Sequence, residues 1–368
     1  MNKKSKEEKQ VSTVESVSHD SVVGPRYYHF IPLKPYLDKV RKQQQDYYKA
    51  AELVSMISEN RDGFAMSANE FCKLCGAGTP QQIKAAIETG ADVNARHEDS
   101  WTDLWGFRNL LSRTPLICAA RNNGNSEVIT LLLTAGAEID ARGDNGMTAL
   151  MHSVDNKNNP EVIAALIEAG ANLDVRGIGG YTALMYAIAY NGNPEVIFAL
   201  LKGGADVNIR SNYNSTAFPR KLGQTALIMA VRYSGDLSLI KALLERGADV
   251  SVRDKQGRTA LMCAAKNRSL EVINTLIDSG ADVNARDNNA QSVLMFASKH
   301  NTSEVVSAML NAGADVDAQA QNGMTAIDHA KKNPKLQGTD ILDRLRETSK
   351  SLSVEEMQAV TIGSAPFV

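Results

Sequence analysis

The sequence predicts an all-α solenoid of about eight helix–turn–helix units, and three recurring phrases support this fold class. A phrase of the type Gly-Ala-Asp-Val-Asn occurs seven times, a Thr-Ala-Leu phrase follows most copies, and a Glu-Val-Ile phrase precedes most of them. The spacings between successive glycines are 46, 34, 34, 43, 33 and 33 residues, so the base period is 33 to 34. Such a period is typical of a repeat array whose stacked units bury one continuous core. The seven glycines are Gly90, Gly136, Gly170, Gly204, Gly247, Gly280 and Gly313.

Each element of one unit has a local physical reason. Thr148 suits the N-terminal turn of the first helix, because its hydroxyl can accept a backbone hydrogen bond. Residues 159–161 read Asn-Pro-Glu, in which Asn can cap the second helix, Pro fits its first position and Glu favours the positive end of the helix dipole. Apolar residues at helical spacing follow at 162–167, and Gly170 ends the helix because it tolerates a positive φ. A projecting turn is predicted to link this helix to the next unit.

The composition excludes several classes of protein. Lys and Arg number 40 against 42 Asp and Glu, so the net charge of -2 excludes a chain that is basic overall, although not a local basic patch. No run of apolar residues is long enough for a membrane helix, and no apolar segment follows the positively charged start as in a secretory signal. Four cysteines do not make a disulfide framework, which favours the cytoplasm. Secretion of an effector by a route that needs no signal peptide stays open.

On these phrases the chain resembles the ankyrin-repeat family. The period, the Gly-Ala-Asp-Val-Asn and Thr-Pro/Ala-Leu phrases and the helix–turn–helix unit all match over residues 68–348. The opening unit at residues 69–80 is similar to those of bacterial ankyrin proteins. The resemblance implies specific binding of a protein partner through a concave face, which the ends of the first helices and the tips of the projecting turns form.

The chain departs from the family pattern at one position. The His that usually follows Thr-Pro-Leu is absent from the recurring phrase, which puts the family's Thr–His hydrogen-bond network in doubt. Methionine at this place is predicted to fill space between stacked units, since its flexible side chain packs well in irregular gaps. The replacing residues are Met151, Met185, Met262, Met295, Ile117 and Ile228.

Both ends of the chain differ in composition from the repeats. Residues 1–26 are polar and rich in Lys, Glu and Ser, which predicts a disordered tail. Residues 27–67 are predicted to form an N-terminal helical cap, because a terminal repeat needs its apolar side covered. Residues 349–368 are interpreted as a C-terminal tail.

Two long intervals predict extended fingers at residues 97–112 and 211–222. Insertions in solenoids project as loops on one face, which is often the binding face. The fingers concentrate aromatic residues, which make up 5% of the sequence and are common in binding hot spots. The alternative is that the rings pack on the solenoid and stiffen the loops. The candidates are Trp101, Trp105 and Phe107 in the first finger and Tyr213 and Phe218 in the second.

The ends of the first helices and the turn residues before the Thr-led phrases predict a row of partner-facing side chains. In three consecutive units this row is basic and aromatic, a composition typical of binding hot spots. We name this part the Tyr/Arg ladder and expect it to bind an acidic protein segment. The alternative is a solvated surface without function. The ladder consists of Tyr181, Tyr190, Arg232, Tyr233, Arg258 and Lys266.

No pattern of catalytic or metal-binding residues stands out. Cys72 and Cys75 form a Cys-x-x-Cys motif, but no second Cys/His pair follows at ligand spacing, so core thiols are favoured over a zinc or redox site. The six histidines are scattered, and no nucleophile elbow or paired-carboxylate arrangement occurs. We therefore expect no catalysis, no metal and no cofactor.

The sequence thus favours a non-catalytic scaffold or adaptor for protein–protein recognition, expected to be monomeric and without membrane association. Three alternatives stay open. The Tyr/Arg ladder could bind nucleic acid or another anionic ligand, although the net charge of -2 counts against nucleic acid. The chain could be an inhibitor or effector that acts on another organism's protein, or the regulatory subunit of an enzyme, since the fold does not fix the function.

Overall fold

The computed structural model describes residues 66–102, 108–143, 146–155, 160–211, 223–267 and 269–349. Over these ranges the helices form eight consecutive pairs, which is consistent with the predicted eight units. No helix in these ranges is long and apolar enough to cross a membrane. The predicted tail at 1–26, almost all of the predicted cap at 27–67 and all but the first residue of the predicted tail at 349–368 lie outside the described residues.

The first helix of each pair opens at the Thr-led phrase or its equivalent. These first helices are α1 (Ala68–Ala77), α3 (Pro115–Asn122), α5 (Ala149–Asp155), α7 (Ala183–Tyr186), α9 (Ala226–Met229), α11 (Ala260–Asn267), α13 (Val293–His300) and α15 (Ala326–Ala330). The second helices are α2 (Pro80–Glu88), α4 (Ser126–Thr134), α6 (Pro160–Glu168), α8 (Pro194–Lys202), α10 (Leu237–Glu245), α12 (Leu270–Asp278), α14 (Ser303–Asn311) and α16 (341–349), the last preceded by a 3₁₀ turn at Pro334–Leu336.

The predicted helix ends are confirmed in most units, although the hydroxyl of Thr148 has no hydrogen-bond partner among the described residues. Hydroxyl oxygens of Thr or Ser accept hydrogen bonds of 3.3 to 3.5 Å from the backbone N–H three residues on, at Thr114, Thr182, Thr225, Thr259 and Ser292. Side chains of Asn125, Asn193 and Asp236 cap the second helices at 2.8 to 2.9 Å. The seven repeat glycines have φ between +79° and +96°, a region that favours glycine. Each cap typically stabilises its helix by about 1 kcal/mol.

The core forms because each first helix packs on the first helix of the next unit, while most second helices stack in a parallel layer behind them. One continuous apolar cluster therefore runs from Phe71 to Leu345. The prediction for methionine is confirmed, since the four methionines among the residues that replace the family His are buried in this cluster. They are Met151, Met185, Met262 and Met295.

The first long interval forms a β-hairpin. Strands β1 (His97–Thr102) and β2 (Arg108–Arg113) pair antiparallel, with His97 opposite Arg113 and Thr102 opposite Arg108. The tip at 103–107 and most of the second finger, 212–222, lie outside the described residues.

Neighbouring turns are joined by Asn side chains, each of which forms hydrogen bonds with a backbone carbonyl and a backbone N–H of the next turn. Asn284 donates from Nδ2 to the carbonyl of Gly313 at 3.1 Å, and its Oδ1 accepts from the N–H of Asp315 at 2.8 Å. The same pair of bonds recurs from Asn94 and from Asn208. These bonds fix the register of one turn on the next.

We predict that Asn284→Ala lowers the free energy of unfolding by about 1–2 kcal/mol, because both inter-turn hydrogen bonds are lost. Asn284→Asp, which retains the acceptor but not the donor, should fall between this variant and the wild type. Urea unfolding of the three proteins measures the order. Equal stability of Asn284→Ala and wild type would show that the bonds do not contribute.

His152 in α5 makes the fold sensitive to acid. Its side chain is 5% exposed, and Nε2 has no hydrogen-bond partner among the described residues. Burial, together with the charges of Arg121 and Arg113, lowers the pKa of His152 to about 3. Unfolded histidine titrates near pH 6.5, so the unfolded state takes up this proton first as the pH falls. The contribution of neutral His152 to the free energy of unfolding is therefore fully present above pH 6.5 and is lost between about pH 6.5 and 3.

We predict that wild-type stability falls by up to about 1.4 kcal/mol per pH unit below pH 6.5 through this residue. His152→Met introduces the residue that the chain already has at the equivalent position of α9, which is Met229. The variant should lose less stability between pH 6.5 and 5, a window in which carboxylates contribute little. Urea unfolding at several pH values measures both slopes, and parallel slopes would contradict the role of His152.

Candidate functional site

The predicted Tyr/Arg ladder is carried by two first helices that end in a π turn. α7 continues as a π-helical turn at Ala187–Asn191, and α9 does so at Ala230–Ser234. Left-handed Gly192 and Gly235 close these turns, with hydrogen bonds of 2.9 and 2.8 Å to the first residue of each. Turns of this kind are frequent at functional sites.

The spacing between capping residues does not by itself produce the π turns. The capping residues Thr182 and Asn193 are 11 positions apart, but Thr114 and Asn125 have the same spacing, and α3 between them has no π turn. The π turns carry Tyr190, Arg232 and Tyr233 on the ends of α7 and α9.

Three tyrosines of one unit form an aromatic cluster. Tyr181 lies edge-on to Tyr186 with ring centroids 5.6 Å apart, and Tyr190 lies 5.8 Å from Tyr186 and 6.5 Å from Tyr181. Tyr190 is 66% exposed, while the other two are partly buried against the core. The cluster therefore presents one exposed ring on a rigid aromatic base. Sequence analysis missed Tyr186, although its spacing of four residues from Tyr190 on one helix could have revealed it.

The aromatic cluster borders on the charges of the next unit. Burial raises the pKa of Tyr181, the hydroxyls of Tyr233 and Tyr190 raise it further, and the charge of Arg232 opposes them. The electrostatic influence of Tyr233 and Arg232 on Tyr181 means that α7 and α9 bring these ladder residues close together. Tyr181 therefore stays a neutral phenol at physiological pH.

Asp254 holds the arginines of the ladder and was missed by sequence analysis. Its side chain is 1% exposed, and Oδ2 accepts from Nη2 and Nε of Arg258 at 2.9 and 3.2 Å. Nη2 of Arg232 lies 3.8 Å from the same oxygen. The backbone N–H groups of Gln256 and Arg258 bind Oδ1, each at 2.9 Å. One buried carboxylate thus orients two guanidinium groups, and one net positive charge remains at the surface.

Arg232 also approaches the partly buried Cys263, with Nη2 3.9 Å from Sγ. Burial acts to lower the pKa of Arg232, but Cys263, Tyr233 and Asp254 raise it above its ordinary value. The guanidinium is therefore permanently charged. Its neighbours Asp254, Cys263 and Tyr233 hold this charge at the end of α9.

Lys266 continues the positive charge into the following units. It is exposed in the last turn of α11. Burial lowers the pKa of His300 on α13, and the charges of Lys266 and Lys299 lower it further. This influence on one histidine shows that the lysines at the ends of α11 and α13 face a common region.

The binding roles of the five finger residues stay predictions. Trp101 lies in β1, but its side chain is outside the described part of the structure. The other four, Trp105, Phe107, Tyr213 and Phe218, lie in the ranges 103–107 and 212–222 that are not described.

The Cys-x-x-Cys motif lies within the core. Cys72 and Cys75 in α1 are buried beside Cys118 in α3. A hydrogen bond with Cys118 and burial raise the pKa of the Cys72 thiol, which opposes formation of a reactive thiolate. Within the described ranges, no group of three or more His, Cys, Asp or Glu side chains could hold a metal ion.

The chain belongs to the ankyrin-repeat family. A family model described as ankyrin repeats (3 copies) matches residues 71–177, 116–211 and 184–287, which together span more than half of the 368 residues. Its fold is similar to the crystal structure of the ankyrin repeat domain of Bcl-3, a member of the IkappaB protein family. That similarity has a TM-score of 0.52 and 24% identity, and covers 68% of this chain and 100% of the other.

Among curated proteins, the chain is similar to SH3 and multiple ankyrin repeat domains protein 1 of human, mouse and rat. The identity is 35% over 81 residues, which are 22% of this chain. The match covers 3% of the length of these relatives, so the likeness concerns a short stretch of repeats.

We predict that Asp254→Asn is more destabilising than Asp287→Asn. Asp287 has the same register one unit on and likewise binds two backbone N–H groups at 2.9 Å, but no ion pair to it occurs among the described residues. The difference therefore isolates the arginine pairs and should be about 1–2 kcal/mol, with little change on added salt because the carboxylate is buried. Urea unfolding at low and high salt measures it. A zero difference would mean that Asp254 does not hold the arginines.

Proposed function

We propose that the chain is a non-catalytic recognition scaffold that binds a protein partner through the face bearing the Tyr/Arg ladder and the long fingers. Ankyrin repeats are generally protein–protein interaction modules, and a stacked array supplies a rigid surface that loses little entropy on binding. The carrying observation is the exposed ring of Tyr190 on its aromatic base, next to arginines oriented by Asp254. Rigid aromatic and arginine side chains are the usual anchors of protein interfaces.

The partner segment in this proposal is acidic. The only carboxylate described among the ladder arginines is Asp254, and it is buried, so the outward charge comes from Arg232, Arg258 and Lys266. A carboxylate of the partner can pair with these cations while an apolar side chain packs on Tyr190. The finger residues would enlarge the contact on the same face.

The proposal includes a monomeric chain in a reducing compartment such as the cytoplasm. Its support is that Cys72, Cys75, Cys118 and Cys263 are free thiols. It needs no cofactor, because recognition uses only the side chains described above.

The test compares two double variants of the full chain. Tyr190→Ala with Lys266→Glu removes the exposed ring and reverses a ladder charge. Phe198→Ala with Lys202→Glu makes the same two kinds of change on α8, where Phe198 is 41% exposed. Circular dichroism and thermal melting establish that both fold. The wild type and both variants are then used to capture partners from native lysate, with and without nuclease.

We expect wild type and the α8 variant to retain the same protein, and the ladder variant to lose it by more than about tenfold, which corresponds to 1.4 kcal/mol. Nuclease should make no difference. A photo-crosslinking residue at position 190 should then label an acidic segment of that protein. Equal retention by both variants, or loss on nuclease treatment, would contradict the proposal, and the second outcome would favour nucleic acid.

A further inference from the structure

Arginines lie at equivalent positions in six successive turns. Four of them donate a guanidinium hydrogen bond to the backbone carbonyl of the arginine at the same register in the next unit. These bonds run from Arg96 to Arg142 and from Arg142 to Arg176 at 3.0 Å each, from Arg210 to Arg253 at 2.5 Å, and from Arg253 to Arg286 at 2.6 Å. We name this row the arginine row; its function at these four positions is to hold one turn on the next.

The arginine row is interrupted at Arg176. Its bond to the carbonyl of Arg210 is missing, although the chain holds an arginine at both positions. Arg286, the last of the row, instead forms an ion pair of 3.6 Å with Asp315. Asp206 is the counterpart of Asp315 for Arg176, but no ion pair joins them. Among the residues that the structure describes, the exposed guanidinium of Arg176 has no partner.

The interruption occurs beside the second long finger. Ser211 and Gly223 close the base of this finger, since the N–H of Gly223 binds the carbonyl of Ser211 at 2.9 Å. The N–H of Ser211 in turn binds the carbonyl of Gln224 at 2.8 Å. The chain therefore leaves the regular turn directly after Arg210, which is the residue whose carbonyl Arg176 would otherwise bind.

A cleft of about 490 Å³ lies at this place. Its lining includes Arg176, Arg210, Lys255, Asp206 and Gly223. Arg210 is fixed there by the carbonyls of Gly223 and Arg253. The ammonium group of Lys255 is exposed and, like Arg176, has no partner among the described residues. Three cations against one carboxylate give this lining a positive charge.

We propose that this cleft binds an oxyanion, a phosphate ester or a carboxylate, carried by a peptide side chain. Arg176 would supply a planar pair of donors, Lys255 a mobile point charge and Arg210 a fixed cation. The cleft is open and, at about 490 Å³, has room for an anion that carries an attached group. The described lining has no aromatic ring on which a nucleobase could stack, which favours a peptide over a nucleotide.

This site goes beyond the proposed function, because it uses none of the Tyr/Arg ladder residues. The Oδ1 atom of Asp206 accepts from the N–H of Asn208 at 2.8 Å, which turns part of its carboxylate toward its own turn. Its remaining charge opposes an anion in the cleft. We therefore also expect that removal of the Asp206 charge strengthens binding of an anion in the cleft.

The test is an NMR titration of the isotope-labelled full chain with inorganic phosphate and, separately, with acetate, at constant ionic strength. The signals of the Arg176 side-chain Nε–H and the backbone amides of Asn208 and Gly223 report binding. We expect saturable shifts at these positions with at least one probe. Stronger binding of phosphate would identify a phosphate ester as the source of the oxyanion, and equal or stronger binding of acetate a carboxylate.

Four variants complete the test. Arg176→Ala should weaken binding about tenfold, the loss of one charge-assisted pair. Lys255→Ala should weaken it less, and Asp206→Asn should strengthen it. Arg253→Ala is the matched control, because Arg253 belongs to the same row and its guanidinium binds Arg286 instead of lining the cleft. Shifts that do not saturate with either probe, or an equal loss in Arg176→Ala and Arg253→Ala, would overturn the proposal.

Discussion

Each unit of this protein depends on its neighbour to bury the apolar side of its first helix. Residues such as Leu184, Leu227 and Leu261 occupy one register and are excluded from water only because the next first helix lies on them. The hydrogen bonds of the turns reinforce this stacking, since Asn284 and its counterparts satisfy backbone groups of the following unit. The sequence period is thus a direct consequence of the packing: every unit must present the same surface to its neighbours.

Because of this dependence, the periodic part of the structure could be predicted from sequence. Thr182 caps a helix and Gly204 ends the next helix with a positive φ, and both roles follow from local chemistry and recur in most units. The burial of methionine in place of the family His could also be predicted, because its apolar side chain is stabilised inside the core. Predictions of this kind need no knowledge of distant contacts, because all neighbours of a repeat are copies of it.

The candidate site was predictable only in part. The sequence indicates that Tyr190, Arg232 and Arg258 belong to one face, since their positions in the repeat follow from the register. It does not reveal that Asp254 is buried beside the two arginines, because Asp287 has the same register and forms no such pair with any residue that the structure describes. The π turns of α7 and α9 were also missed, because Thr114 and Asn125 have the same spacing of 11 residues without a π turn between them. Such details depend on three-dimensional competition between side chains that no single spacing encodes.

Departures from the repeat are the places where a stacked protein can specialise without losing its fold. In the described structure several departures fall in the fourth and fifth units: the π turns, the exposed Tyr190, the base of the second finger and the missing bond of Arg176. Stacking requires none of these features, since neighbouring units keep the same core without them. Tyr190 belongs to the binding surface that we propose, and Arg176 belongs to the proposed anion cleft. Both proposals therefore place recognition at departures from the repeat.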